Sequence, residues 1–408
     1  MQCATSRARK WIALWCLVAP AFAAQPAEEW SALTAQATQA YSRGAYAESE
    51  RLYASALALA DKFESQDDRL AATLANLATA CRMQGRFQEA EKLYLRAIGI
   101  WRSTPGQSPS EMAAALNNLA GIYRVHARYE DAESLYREAL ALHEKELGSE
   151  SASVALVLSN LGGLYQDQGK SDAARGCYER ALGIQERLLG PDHPDVAATL
   201  NHLGDLFRLQ RRWADAEPLY HRAIAIREKA LGPDHPQLSD SLNTLALLYA
   251  ARHKYGKAGE LYQRAYRIDA AHFGPAHARI AQDLNNLASV CYARRQYGHA
   301  EEYFQQSIAM YERVLGPETP GLADPLLNLA GLYTARQRFA EAVDLYRRGV
   351  PLREQVLGAD HPQLAEYLEG YALALRKTED YAEAEKIEAR ATRIRVRTAL
   401  RAGANAGQ

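Results

Sequence analysis

The sequence predicts an all-α protein built as a stack of about nine antiparallel helix hairpins. Three observations predict it: a 42-residue internal repeat, helical spacing of apolar residues within each repeat, and helix-stop signals between repeats. The repeat is anchored by Tyr94, Tyr136, Tyr178, Tyr220, Tyr262, Phe304 and Tyr346, each 42 positions after the last. Around each anchor the same neighbours return. Leu116, Asn118, Leu119, Ala120, Tyr123, Ala132 and Ala139 in one unit become Leu158, Asn160, Leu161, Gly162, Tyr165, Ala174 and Ala181 in the next. Degenerate units flank these seven. The first carries Gly44, Tyr46, Leu52 and Tyr53; the last carries Tyr371, Tyr381, Ala384 and Ala391, with Glu388 in the anchor column. Atypical end units are expected of an array, because their outer faces meet water.

Within a unit the apolar positions fall on two helices. Val196, Leu200, Leu203 and Phe207 form one face; Ala216, Leu219, Tyr220, Ala223 and Ile226 form the stripe of a second helix. A short turn separates them, with Gly85 or Gly169 in some units. Units are joined by Leu189-Gly190-Pro191-Asp192-His193-Pro194, repeated at Leu231–Pro236 and varied at Phe273–Pro275, Leu315–Pro317 and Leu357–Pro362. The Gly is expected to end one helix in a left-handed C-cap, and the second Pro to open the next. Small residues at 120, 162, 204, 246, 288 and 330 leave room for the anchor rings, giving a continuous core. The units predicted are 30–62, 69–102, 110–147, 152–189, 194–231, 236–273, 278–315, 320–357 and 362–399, within an array over 24–401 and ahead of a disordered tail at 402–408.

Residues 1–23 read differently. Arg7, Arg9 and Lys10 precede the uncharged run Trp11–Val18, and Ala21-Phe22-Ala23 supplies a small-x-small cleavage site before Ala24. This is the pattern of a cleavable secretory signal peptide, and the apolar run is short for a bilayer of roughly 30 Å. A periplasmic or secreted location is the expectation. Cys3 and Cys16 would be removed; Cys81, Cys177 and Cys291 would remain, an odd number far apart in sequence, so no disulfide framework is expected. Cys81 and Cys291 replace an aromatic in the repeat and are read as small apolar packing residues.

With 48 Lys+Arg against 49 Asp+Glu, the chain lacks the basic excess of a general nucleic-acid binder. No Gly-rich phosphate loop, Cys-x-x-Cys pair or G-x-S-x-G elbow is present. The recurrent His193, His235 and His361 are expected to cap local backbone rather than to converge on a metal. Acidic residues are assigned to solvent faces. No catalysis, cofactor or metal is predicted.

The Leu161-Gly162-x-x-Tyr165 and Ala132-x-x-x-Tyr136 signatures resemble the tetratricopeptide repeat, and the 42-residue length and L-G-x-D-H-P linker resemble its kinesin-light-chain-like variant. The resemblance covers essentially the whole chain after residue 23. It implies a right-handed superhelical solenoid whose first helices line a concave groove that holds a protein or peptide ligand. Matching first-helix positions puts Asn76, Asn118, Asn160, His202, Thr244, Asn286 and Asn328 in that groove. Such amides can hold an extended peptide backbone or bond to neighbouring helices. Arg82, Arg124 and Arg208 share one position, with Gln166 between them, and Arg252, Arg294 and Arg336 share another. If both columns face the groove it is basic and favours acidic peptides or a C-terminal carboxylate; the alternative is Arg at a helix C-terminus, favoured there by the dipole.

The function expected is an exported, non-catalytic binding scaffold or adaptor. The second reading is a structural subunit of a homo-oligomer or of a cell-envelope or secretion complex, assembling through array ends or outer faces. A third, an accessory to polysaccharide machinery, needs groove aromatics, of which only Tyr292 is placed suitably. The Arg390, Arg393, Arg397 and Arg401 face of the last helix is a minor candidate for an anionic membrane surface. Oligomeric state and partner identity are not written in the sequence.

Overall fold

The computed structural model describes residues 27–63, 67–104 and 108–406, without the side chains of 401–406. The signal-peptide segment 1–23 lies outside the described residues. Every regular element described is helical. The chain divides at Pro191 into two compact units.

Unit 1 holds α1 (27–42), α2 (Tyr46–Ala60), α3 (Asp68–Met83), α4 (Phe87–Ser103), α5 (Pro109–Val125), α6 (Tyr129–Leu147), α7 (Ala152–Asp167) and α8 (Ser171–Leu189). Unit 2 holds α9 (Pro194–Leu209), α10 (Trp213–Leu231), α11 (Pro236–Ala251), α12 (Tyr255–Phe273), α13 (Ala278–Ala293) and α14 (Tyr297–Leu315). It continues through a single 3-10 turn (Pro320–Leu322), α15 (Ala323–Ala335), α16 (Phe339–Leu357), α17 (Leu364–Lys377) and α18 (Tyr381–Ala406). In each unit a first helix packs against its own second helix, and that second helix packs against the next first helix.

The anchor column is the core. None of its seven aromatic residues is more than 4% exposed. The space comes from the small residues opposite: a Cβ on Gly162 would come within 2.7 Å of the Tyr178 ring, and one on Gly204 within 2.8 Å of Tyr220. Buried hydroxyls find partners across the hairpin, as buried polar groups must. Tyr94 shares a 2.7 Å hydrogen bond with Thr79, and Tyr220 donates to Asp205 at 2.8 Å.

The turns repeat as strictly as the core. The residue between first and second helices has positive φ at Gly85, Ala127, Gly169, Arg211, His253, Arg295, Gln337 and Glu379, all 42 apart. Glycine takes this conformation freely, whereas the six others accept strain of order 1 kcal/mol each. The linker glycines have the expected positive φ, but ψ corrects the expectation of a left-handed cap. Gly190 sits at φ 86°, ψ 158°, and Gly232 at 92°, 165°, an extended region that only glycine enters readily.

Pro194 and Pro236 open α9 and α11 as expected, and the histidine before each is the N-cap. His193 Nδ1 accepts from the Asp195 N–H and His235 Nδ1 from the Gln237 N–H, both at 3.2 Å; His277 and His361 repeat the arrangement. His235→Ala should therefore cost about 1 kcal/mol, seen as a lower thermal midpoint, and His235→Asn should restore it. The cap needs an unprotonated Nδ1. Burial and the nearby Arg353 charge hold the His361 pKa below its ordinary value. That contribution is present above the unfolded-state pKa of about 6.5 and is lost as pH falls through the lower folded value.

Two ladders absent from the sequence pattern described above tie successive hairpins. In one, Tyr165, Tyr249 and Tyr333 donate to Glu133, Glu217 and Glu301 of the preceding second helix at 3.1, 2.8 and 2.9 Å. A basic residue five positions on covers each ring, as with Arg338 at 3.9 Å from the Tyr333 centroid. In the other, Arg180–Glu144, Arg264–Glu228, Arg348–Glu312 and Arg390–Glu354 link consecutive second helices at 2.5–2.7 Å. Exposed pairs contribute roughly 0–1 kcal/mol each, so their main effect is on register.

Three further expectations are corrected. Not all acids face solvent: Asp269 and Asp283 are 1% and 2% exposed. Helix α18 continues to Ala406, past position 402, where a disordered tail was expected to start. The Arg face of α18 is partly consumed, since Arg390 bonds Glu354 and Arg397 bonds Asp360. Cys81 is fully buried and Cys177 and Cys291 are partly buried, all as free thiols; burial pushes the Cys81 pKa up to about 11. Among the described residues no helix is long and apolar enough to cross a membrane, and no cluster of three metal-ligating side chains occurs.

Candidate functional site

The first helices carry the predicted residues, and unit 1 gathers four of them. Arg82 ends α3, Asn118 and Arg124 lie on α5, and Asn160 lies on α7. With Gly121, Tyr136 and Asp167 they line a cavity of about 380 Å³. Gly121 lies under the Tyr136 hydroxyl, where a Cβ would make an ordinary contact at 3.6 Å. Burial raises the Tyr136 pKa to about 12, with Arg124 and Arg82 drawing it back.

The three asparagines of this cavity, Asn117, Asn118 and Asn160, do different work. Asn160 donates to Asn117 Oδ1 of the previous first helix at 2.9 Å, so it is a stacking residue. Asn328 repeats this toward Asn285 at 3.1 Å in unit 2. Asn118 instead faces the Tyr94 hydroxyl, half-buried. The remaining members of the column are scattered. Asn76 and His202 are exposed, Thr244 bonds back to the Ser241 carbonyl at 2.9 Å, and Asn286 accepts from Gln282 at 3.2 Å. The inter-helix amide ladder runs one residue earlier, through Asn117, Asn201, Asn243 and Asn285. Asn201 donates to Ser241 and Asn243 to Asp283.

The expected basic groove is also corrected. Arg124 pairs with Asp167 at 2.5 Å, and Arg208 with Asp205 at 3.0 Å. Burial opposes the Arg124 charge, but the Asp167 carboxylate outweighs it and the pKa rises. In the second column Arg252, Arg294 and Arg336 are the C-caps of α11, α13 and α15. Arg252 bonds Glu217 of the preceding hairpin, Arg336 lies 5.5 Å from the Tyr297 ring centroid, and Arg294 is exposed. These side chains serve helix ends and hairpin contacts. Arg82 differs: among the described residues it has no ion pair and its buried Nε has no hydrogen-bond partner, while its guanidinium touches the Tyr94 hydroxyl.

Unit 2 has a cavity of about 480 Å³ whose walls include Tyr292, Asn328, Thr334, Tyr346, Glu366 and Tyr367. Sequence reasoning placed Asn328 and Tyr292 on this face and missed Glu366 and Tyr367. Both stand in the degenerate last unit, where Gly370 breaks the Asn column.

Comparison with known proteins agrees with this architecture. The sequence profile of the tetratricopeptide repeat matches residues 31–103, 111–187, 153–229, 196–271, 242–313, 279–355 and 321–395. A search of curated proteins finds no match. Among solved structures, BtubC from P. vanneervenii is 26% identical, covering 61% of this chain and 92% of its own, with a TM-score of 0.45. A kinesin light chain repeat protein from Podosopora anserina is 25% identical over 51% of this chain and 99% of its own, with a TM-score of 0.43. The apo quorum sensor NprR from B. thuringiensis, 14% identical, covers 78% of this chain and 86% of its own, with a TM-score of 0.60, and shares the fold. With matches running from residue 31 to residue 395 over hairpins that repeat every 42 residues, the chain belongs to the tetratricopeptide repeat family, whose members are scaffolds for protein–protein interaction.

Proposed function

We propose that the protein is an exported scaffold that holds an extended segment of a partner protein against the first helices of its hairpins. The Arg82 cavity would take an acidic side chain or a C-terminal carboxylate. The observation that carries this reading is Arg82 itself: a guanidinium without an ion pair among the described residues, beside Asn118, in an open cavity of about 380 Å³. A guanidinium fork matches a carboxylate in two bonds, and Asn118 offers both a donor and an acceptor to peptide backbone. The hairpin stack pre-forms the cavity, so ordering costs fall mainly on the ligand. Support for export comes from the Arg7–Ala23 pattern, and mature protein is expected to begin at Ala24 when sequenced from the periplasm or medium.

The test uses a fluorescently labelled decapeptide rich in Asp and Glu. Arg82→Glu should weaken binding at least tenfold, about 1.4 kcal/mol, while leaving helicity and melting in place. Arg124→Gln should have a smaller effect, because Asp167 already occupies that charge. Equal affinity for wild type and Arg82→Glu removes the basis of the acidic preference.

A further inference from the structure

The cavities of the two units occupy the same register, five 42-residue steps apart. Asn118, Gly121 and Tyr136 of the first recur as Asn328, Gly331 and Tyr346 in the second. The remaining substitutions change the chemistry in one direction. Arg82 becomes Tyr292 and Arg124 becomes Thr334, so both guanidinium groups are gone. Asn117 and Asn160, whose mutual bond helps close the first cavity, become Leu327 and Gly370. The loss of a side chain at 370 matters sterically, since a Cβ there would strike the Tyr346 hydroxyl. The second cavity is accordingly larger, about 480 against 380 Å³.

The groups that line the second cavity instead are aromatic and acidic. Tyr292 is 39% exposed and forms one wall. Glu366 and Tyr367 enter from α17, at register positions that hold Leu156 and Val157 in unit 1. Glu366 is exposed and makes no ion pair among the described residues. Arg353, outside the cavity lining, bonds the Tyr367 hydroxyl and pairs with Asp324 at 3.0 Å. The hydroxyl of Tyr346 lies close enough to Tyr292, Tyr367 and Glu366 for all three to raise its pKa, after burial, which raises it most. The convergent groups are therefore π faces, phenol oxygens and one carboxylate, whose nearby cation, Arg395, is bonded to Glu369. Ring faces attract cations, and an unpaired carboxylate at the rim adds a charge-assisted hydrogen bond.

We propose that this cavity between α13, α15 and α17 binds a cationic side chain, arginine or lysine, of a polypeptide ligand. The ring walls of Tyr292 and Tyr367 would hold the alkyl stem and the charged head, and Glu366 would neutralise it. The cavity volume lies within the range of sites that enclose a group of this size. The proposal shares with the acidic-ligand reading only the premise of a polypeptide ligand. It stands on different residues in a different unit.

Labelled decapeptides that differ only at three central positions, filled with Arg, Glu or Gln, separate the cases on the full-length mature protein. The Arg peptide should bind more tightly than the Gln peptide. Glu366→Gln and Tyr292→Ala should each weaken the Arg peptide at least fivefold, whereas Glu260→Gln, an exposed acid elsewhere in unit 2, and Arg82→Glu should not. Glu366→Gln is isosteric at an exposed site, so melting should be unchanged. Equal binding of Arg and Gln peptides overturns the proposal. So does equal loss with Glu260→Gln, which would mean diffuse attraction to an acidic surface. Displacement of the Arg peptide by a neutral oligosaccharide at this cavity overturns it in favour of a glycan. Loss of Glu-peptide binding in Arg82→Glu, with Arg-peptide binding intact, shows the two sites to be independent.

Discussion

Asp283→Asn is expected to raise the melting temperature at pH 8 and to flatten its dependence on pH. Asp283 sits on α13 at 2% exposure, facing Asp269 of α12 at 1%. Burial and the Asp269 charge push the Asp283 pKa up to about 7, against the opposing pull of the Asn243 amide on α11 and the Arg279 charge on α13. Arg279 is largely committed elsewhere, bonding Asp269 at 3.0 Å and Asp240 at 2.6 Å. Ser239 also donates to Asp269, at 2.7 Å. The folded chain therefore keeps a proton on Asp283 that the unfolded chain releases near pH 4. Between about pH 4 and 7 the native state binds more protons, so stability falls as pH rises and levels off above the folded pKa. Across that window the loss amounts to about 4 kcal/mol at most. Asparagine keeps the shape, accepts from Asn243 and donates to Asp269 as the carboxylic acid does, at every pH. A gain of roughly 5–10 °C at pH 8, shrinking toward zero near pH 4, is the expected result for a unit of this size. A wild-type midpoint that does not fall between pH 5 and 8, or a variant that melts lower at pH 8, contradicts the shared-proton arrangement.

That pair was illegible in the sequence for a specific reason. Asp269 and Asp283 lie on different helices of different repeats, and neighbouring repeats carry other chemistry there, Arg227 and Tyr311 at one position and Ser241 and Pro325 at the other. The repeat announces itself through positions that every unit shares, such as Tyr220 against Gly204. It is silent about which side chains meet in a register that varies, as here, where two acids stand where the preceding repeat pairs Arg227 with Ser241. The same distinction explains the Arg columns. Their period was readable, but Arg124 and Arg208 meet Asp167 and Asp205, acids that do not recur with the period. The groove charge was thus overestimated. The Tyr–Glu ladder does recur, at Tyr165, Tyr249 and Tyr333 with Glu133, Glu217 and Glu301. It escaped notice because its acids lie in the previous unit, outside the window in which a hairpin is read. The linker punctuation was legible because its chemistry is local: a glycine, a histidine and a proline within six residues mark where one helix stops and the next starts, although the ψ of the glycine was not.

Phe304→Ala is expected to cost about 3–5 kcal/mol and to act locally. Phe304 is 1% exposed on α14, among Ala288, Ala300, Leu326 and Ala330. It is the one member of the seven-residue anchor column without a hydroxyl, so its loss measures packing alone. At Tyr220 the same truncation would also strip a hydrogen bond from Asp205, mixing two effects. The small residues around Phe304 are alanines, which cannot reach into the vacated volume, and the helices on either side are held in register by the Arg348–Glu312 and Tyr333–Glu301 contacts. The cavity should therefore persist rather than collapse, placing the cost in the upper part of the range. Because each hairpin leans only on its neighbours, the loss should appear as faster amide exchange in α13–α16, with α3–α6 of unit 1 unchanged. Uniform acceleration along the whole chain would instead mean that the stack melts as one cooperative body, and nearest-neighbour coupling would be the wrong description of how it is held together.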